Sequence, residues 1–149
     1  CGGPARRVRG GLAAQPHSIN RNVGTVPRLY DHVRPGSRFE RSLGVLREAK
    51  RLDPSIVTKS GLMLGLGERR EEVVDVLRNL RANGVEIVTI GQYLQPKREK
   101  LDVVEYVAPS VFDEYRVIGE EIGFSAVFAG PFVRSSYMAD AVAAEATYA

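Results

Sequence analysis

Cysteine is nearly missing from this sequence: of 149 residues only Cys1 carries a thiol, and histidine occurs twice, at His17 and His32. A single thiol excludes an internal disulfide. It also excludes an iron–sulfur or structural zinc site built by this chain alone, which would need three or four soft ligands. Neither histidine has an acidic partner at motif spacing, and no Ser–His–Asp or Cys–His arrangement is present, which leaves no hydrolytic triad to consider. No run approaches the roughly 18 apolar residues of a membrane span, so no membrane partner is expected. The start, CGGPARRVRGG, is charged and glycine-rich and lacks the apolar core of a secretory signal. Tryptophan is absent, and the basic Arg6–Arg9 arm has no aromatic residue to stack bases. Phosphate attraction alone is a weak signal, and no nucleic-acid partner is expected.

What is present is the composition of a soluble domain, 44% hydrophobic and 26% charged. The charge is unevenly spread. Residues up to Arg51 hold eleven Lys and Arg against three Asp and Glu, while the remainder holds ten against fifteen. Residues 1–15 show no periodicity and read as a disordered or non-native arm, followed by a folded region over 16–137 and an alanine-rich tail over 138–149. The chain does not begin with Met, and it is expected to be a fragment of a longer protein.

The most informative stretch is Thr58–Pro96. Leu62–Met63–Leu64 is an apolar run of the kind found in a parallel strand buried on both faces. Gly65–Leu66–Gly67 allows a tight turn and a close backbone approach. A helix is predicted next, with Val73, Val74, Val76, Leu77 and Leu80 on one face, Glu71, Asp75, Arg78 and Arg81 on the other, and Asn83–Gly84 as the stop. Val85–Ile90 reads as the following strand. Upstream, Ser37–Glu40 has the spacing of a capping box and opens a helix with Phe39, Leu43, Leu46 and Ala49 on its apolar face. Downstream, Ser110–Asp113 caps a helix with Val111, Phe112, Tyr115, Ile118 and Ile122 buried and Gly123 as its stop, and Ser125–Ala129 reads as a last strand. This alternation implies an α/β fold with a parallel sheet and right-handed crossovers.

As a dinucleotide fingerprint the turn fails, because Arg70 stands where a third glycine is required. Gln92, Tyr93 and Gln95 follow the C-terminal end of a predicted strand, where parallel sheets bind ligands. Lys59 and Ser60 sit at the start of an apolar strand, where a charge is unusual. Lys59 either reaches a ligand carboxylate or snorkels to the rim. Glu68 either ties down the turn or serves the first turn of the helix. His32 reads as a loop or cap residue.

Five blocks together, TVPRLY (Thr25–Tyr30), VRPG (Val33–Gly36), TKSGLMLGLGE (Thr58–Glu68), TIGQYLQP (Thr89–Pro96) and GPFVRSSY (Gly130–Tyr137), resemble lipoyl synthase, a radical S-adenosylmethionine (SAM) enzyme, over roughly Thr25–Asp140. The resemblance covers only the C-terminal half of such an enzyme. It implies the C-terminal part of a partial, open β/α radical-SAM barrel with parallel strands. It further implies a sulfurtransferase that inserts sulfur at C6 and C8 of a protein-bound octanoyl-lysine, using SAM and two [4Fe–4S] clusters. The partners implied are octanoylated lipoyl-domain proteins or the glycine-cleavage H protein, with an electron donor. The location implied is cytoplasmic, or mitochondrial or plastid in a eukaryote.

By the same resemblance, Gly61–Glu68 matches the radical-SAM pattern Gly-x-Ile-x-Gly-x-x-Glu, with Met63 in the Ile place. Asn20, Asn22, Lys59, Ser60, Met63, Gly65, Glu68, Gln92, Tyr93 and Gln95 are implied SAM contacts, Tyr93 beside the adenine, and Arg28 and Arg34 line the site. Ser136 is implied as the oxygen ligand of the auxiliary cluster, ahead of Ser135, with Arg134 beside it; an alkoxide is a harder, more labile ligand for iron than a thiolate. The sequence departs from the family pattern at Gly24, where a glutamate is expected, and at Lys100–Asp102, in place of His-Leu-Pro. It also lacks the Cys-x3-Cys-x2-Cys loop, so the chain alone is expected to be inactive. The alternatives are a non-catalytic half-barrel module that takes its cluster cysteines from a partner chain, and an unrelated metal-free enzyme with a nucleotide at Gly65–Gly67.

Overall fold

A computed structural model describes residues 18–133, so the expected arm 1–15, the Arg134–Tyr137 segment and the tail 138–149 lie outside it. The described elements are strand β1 (Ser18–Asn20), a 3-10 turn (Pro27–Leu29) running into the one-turn helix α1 (Tyr30–Val33), helix α2 (Phe39–Leu52), strand β2 (Val57–Leu64), helix α3 (Arg70–Ala82), strand β3 (Ile87–Gln92), helix α4 (Pro109–Ile122) and strand β4 (Ala126–Gly130). The strands form one open parallel sheet in the order β1-β2-β3-β4. No helix among the described residues is long and apolar enough to cross a membrane.

Register divides the sheet into two chemically different faces, because alternate residues of a strand point to opposite sides. Leu62, Leu64, Val88, Ile90 and Val127 join Leu43, Leu46, Val73, Val76, Leu77, Leu80, Phe112 and Tyr115 in a single buried cluster, so the helices cover that face. The second face presents three rows in turn: Lys59 beside Ile87 and Ala126, Gly61 beside Thr89 and Phe128, and Met63 beside Gly91 and Gly130. None of these nine residues belongs to the buried cluster.

Past Asn20 the chain stays beside β2 but gains a residue on it. Asn20 pairs with Lys59 while Gly24 pairs with Leu62. The Arg21 N–H donates to the Lys59 carbonyl at 3.0 Å and the Gly24 N–H to the Gly61 carbonyl at 2.9 Å. Val23, displaced between them, donates its N–H to the Ser60 hydroxyl at 3.2 Å, and the Tyr30 hydroxyl closes on the Val23 carbonyl.

The predicted strands and helices are all present, with shifted ends. The third strand runs over Ile87–Gln92 rather than Val85–Ile90, because Val85 still serves the preceding helix: its N–H donates to the Leu80 carbonyl at 3.1 Å while Gly84 takes φ +90°. That is the six-to-one closure of a Schellman end. The last strand is Ala126–Gly130, one residue later than predicted. The caps differ more. Arg38 in extended conformation is the N-cap of α2, without a side-chain bond, so Ser37 stands one residue outside the predicted box. Helix α4 begins with Pro109 in its first turn behind Ala108 as N-cap, which leaves Ser110 inside the helix. A reciprocal cap forms instead at α3: Glu72 accepts the Arg69 N–H at 2.8 Å while its own N–H donates to the Arg69 carbonyl at 3.0 Å.

Candidate active-site cleft

The second face of the sheet carries a cleft of about 110 Å³ at the C-terminal ends of β2 and β3, lined by Asn22, Gly24, Gly61, Leu62, Met63, Thr89, Gly91, Gln92 and Val133. Its floor is flat because two of the registered positions, Gly61 and Gly91, have no side chain. Asn22, Met63 and Gln92 of the expected site residues meet here. Lys59 lies one row below, 7% exposed, and its side chain has no hydrogen bond or ion pair to any described residue. A lysine at the start of an otherwise apolar strand keeps its charged end toward the open side of the sheet.

Glu68 holds the turn above the cleft. Its two oxygens accept the N–H groups of Gly65 at 2.9 Å and Leu66 at 3.0 Å, so the carboxylate ties down the turn. Gly65 sits at φ +97°, and a Cβ there would lie 2.3 Å from the Gln92 amide nitrogen and 2.4 Å from the Glu105 carbonyl. The close approach that this glycine permits is thus taken by the protein itself.

Gln92 and the remaining expected contacts also bond within the chain. The Ser60 hydroxyl is bonded to Val23, on the helix-covered side of β2. Gln92 is buried, donates to the carbonyls of Tyr93 and Glu105 at 2.9 Å, and accepts the Val107 N–H at 2.9 Å. Tyr93 is buried with its hydroxyl on the Leu101 carbonyl at 2.7 Å, and Gln95 donates to the carbonyls of Arg98 at 3.2 Å and Lys100 at 2.8 Å. These three residues therefore shape the loop between β3 and α4. Asn20 is exposed at the end of β1, in the row of Lys59. Arg134, Ser135 and Ser136 lie outside the described residues.

Neither arginine expected at the site enters the cleft directly. Arg28 clamps two elements: its guanidinium bonds both oxygens of Glu72, at 2.7 and 3.0 Å, and the Gly67 carbonyl at 2.8 Å. The hydrogen bond from Arg28 holds the Glu72 carboxyl below its ordinary range. Arg34 folds over Gly24 and donates to the carbonyls of Asn22 at 2.7 Å and Val23 at 3.1 Å. Gly24 has φ +85°, and a Cβ on it would meet Arg34 Cδ at 2.9 Å. A side chain at position 24 and this placement of Arg34 exclude one another. His32 is exposed and borders a separate groove of about 370 Å³ beneath the 99–104 loop segment.

Sequence reading missed Thr89, Gly91 and Val133 as lining residues. An isolated glycine inside a strand was the available signal at Gly91, since it marks a close approach of another backbone. Among the described residues no three His, Cys, Asp or Glu side chains are gathered to hold a metal, so this part of the chain does not offer a cluster site. The glycine-opened floor at Gly61 and the Lys59 side chain one row below fit a molecule that carries a flat ring and a carboxylate, as SAM does.

No protein-family model matches the chain. It is 50% identical over 138 residues to a lipoyl synthase of Caldanaerobacter subterraneus subsp. tengcongensis, covering 93% of this chain and 49% of that protein. It is 53% identical over 129 residues to a lipoyl synthase of Caldicellulosiruptor saccharolyticus, covering 87% and 45%. A lipoyl synthase of Haemophilus influenzae is 54% identical over 125 residues, covering 84% and 39%. The chain spans about half the length or less of these curated relatives, and it matches their C-terminal part.

Proposed function

Because this chain belongs with the C-terminal part of the lipoyl synthase family, we propose that it forms the SAM-facing half of a sulfur-inserting enzyme of the radical SAM class. The substrate is an octanoyl-lysine on a lipoyl-domain protein or the glycine-cleavage H protein, and sulfur enters at C6 and C8. When bound, SAM and two [4Fe–4S] clusters supply the radical and the sulfur, and an external donor supplies the electrons. This chain supplies position. Met63 and the bare floor at Gly61 take the flat adenine of SAM, Lys59 takes its carboxylate, and Asn22 borders it. Glu68 and the Arg28–Glu72 clamp keep the turn above the cleft in one shape without touching the reacting atoms. Ser136 ligates the auxiliary cluster, with Arg134 beside it. The cluster cysteines come from outside this sequence, and the chain alone is inactive.

The observation that carries this reading is the Lys59 side chain, without a partner among the described residues, one row below a flat cleft at the C-terminal ends of β2 and β3. The test is a fusion of this chain to the N-terminal half of the Caldanaerobacter lipoyl synthase, reconstituted anaerobically and given an octanoylated lipoyl domain. Mass spectrometry should show sulfur insertion, with Ser136→Ala still releasing 5′-deoxyadenosine but inserting no sulfur. Lys59→Met should weaken SAM binding in an equilibrium titration. Unchanged sulfur insertion in Ser136→Ala together with unchanged SAM affinity in Lys59→Met would refute the assignment. One observation favours the second reading, a non-catalytic half barrel: position 24 is a glycine covered by Arg34 where the family pattern has a glutamate. A fusion that folds and binds its clusters but releases no 5′-deoxyadenosine would select that reading.

A further inference from the structure

The middle row of the open face, Gly61, Thr89 and Phe128, carries a hydroxyl that no described residue uses. Thr89 lines the cleft and is only 8% exposed, yet its side chain has no hydrogen bond to any described residue. Thr58, on the neighbouring strand, shows what a buried hydroxyl ordinarily does: it donates to the Gly84 carbonyl at 2.5 Å. The Ser60 hydroxyl likewise accepts the Val23 N–H at 3.2 Å. A hydroxyl offers one donor and two acceptor positions, and leaving them unmet in a buried place costs free energy that a bound ligand recovers. Gln92, the amide nearby in the lining, is no substitute, because its nitrogen and oxygen are engaged by Tyr93, Glu105 and Val107.

Register puts Thr89 directly across from Gly61, with Lys59 one row back on the same face of β2. With about 4.8 Å between strands and about 3.3 Å per residue along them, the α-carbons of Lys59 and Thr89 stand roughly 8 Å apart on the diagonal. The lysine stem spans most of that distance, so its ammonium and the Thr89 hydroxyl can meet the same small anion. Gly61, between them, has no side chain to screen one from the other. We infer that Thr89 is a ligand-binding residue of the cleft, whose hydroxyl donates to the carboxylate of SAM and shares it with Lys59. This rests on the reading of the cleft as the SAM site. One carboxylate oxygen faces the ammonium and the other the hydroxyl, a charge-assisted contact that a neutral nucleoside does not make. Thr89 thus selects for the amino-acid end of the ligand, while Met63, one row on, serves the adenine.

The experiment titrates two ligands into the reconstituted fusion described above. S-adenosylhomocysteine keeps the carboxylate and is not cleaved, whereas 5′-methylthioadenosine has the same nucleoside and no carboxylate. Thr89→Val removes the hydroxyl at nearly constant shape, and valine suits a buried strand. It should weaken S-adenosylhomocysteine about tenfold, the worth of a hydrogen bond to a charged group, and leave 5′-methylthioadenosine unchanged. Thr89→Ser, which keeps the hydroxyl, should bind both ligands as the unsubstituted protein does. Lys59→Met should show the same selectivity, and in the double variant the losses should fall short of additive because both groups hold one carboxylate. Unchanged S-adenosylhomocysteine affinity in Thr89→Val overturns the inference. Equal weakening of both ligands also overturns it, since the hydroxyl then serves packing or the nucleoside. If Thr89→Val has no effect while Lys59→Met is selective, the reading of the cleft stands without Thr89. If neither ligand binds the unsubstituted fusion, that reading fails and the inference with it. Urea unfolding of the 149-residue chain gives a readout without ligand: with the hydroxyl unpaired in the free protein, the midpoint of Thr89→Val should not fall. A lower midpoint would show that the hydroxyl is bonded within the chain, against the inference.

Discussion

Position 24 offers a quantitative check on the geometry around the cleft. Gly24→Ala forces an L side chain to φ +85°, a strain of about 1–2 kcal/mol. The new Cβ would also stand 2.9 Å from Arg34 Cδ, so Arg34 must swing away and give up its bonds to the carbonyls of Asn22 and Val23. Arg34 is half-buried and water replaces part of each bond, so their loss adds about 1–2 kcal/mol. The sum is a destabilisation of about 2–4 kcal/mol, large against the usual total stability of a small domain. Arg34→Ala removes the same two bonds and the stacking of its guanidinium on Tyr30 at 5.6 Å, without the backbone strain. In the double variant the Arg34 part is lost once, not twice, so the pair should cost about 1–2 kcal/mol less than the sum of its members. Urea unfolding followed by circular dichroism, at unchanged slope, reads all four corners of the cycle. Strict additivity, or a neutral Gly24→Ala, would show that Arg34 does not lie over Gly24. Gly24→Glu carries the same strain, so restoring the expected carboxylate does not by itself restore a SAM contact.

Two further outcomes follow from the polar contacts. Glu72 has its carboxyl lowered chiefly by the hydrogen bond from Arg28, so the stabilisation it brings is present above the unfolded carboxylate range and fades as pH falls through the lowered folded value. Arg28→Gln should return the Glu72 carboxyl toward its ordinary range, seen in carbon-13 titration, and a Glu72 that titrates as before would disprove the clamp. Thr25 is fully buried and its hydroxyl has no partner among the described residues. Thr25→Val should therefore raise stability by about 1 kcal/mol, and a lower melting temperature would mean that the hydroxyl is bonded in solution.

The elements were legible wherever one physical rule dominates. The stripe Val73, Val76, Leu77 and Leu80 is buried as the helical period demands, and Asn83–Gly84 and Gly123 end their helices as read. Caps were misread where a neighbour took the role: extended Arg38 displaced Ser37, and Pro109 started α4 ahead of Ser110. At the site, the cleft-lining role of Asn22 and Met63 follows from their places on and beside β2. The internal use of Ser60, Gln92, Tyr93 and Gln95 does not, because a polar side chain at a strand end looks alike in sequence whether it meets a ligand or a backbone carbonyl. The need for a glycine at position 91 is a long-range fact: the carbonyl that a Cβ there would meet belongs to a residue 42 positions later, Val133.

The loop from Tyr93 to Ala108 is shaped by side chains at its ends that reach main-chain groups in its middle and at its far side. Tyr93 and Gln95 bond the carbonyls of Leu101, Arg98 and Lys100, and Gln92 bonds the carbonyl of Glu105 and the N–H of Val107. A carbonyl is the same whichever residue bears it. The loop's path is thus written at Gln92, Tyr93 and Gln95, and the side chains of Lys97–Leu101 are left largely free to drift in evolution. Lys100 and Leu101 can stand where relatives are expected to carry His-Leu without redrawing the loop, whereas the Asp102 side chain accepts the Gln95 N–H at 3.0 Å and itself helps to hold the path.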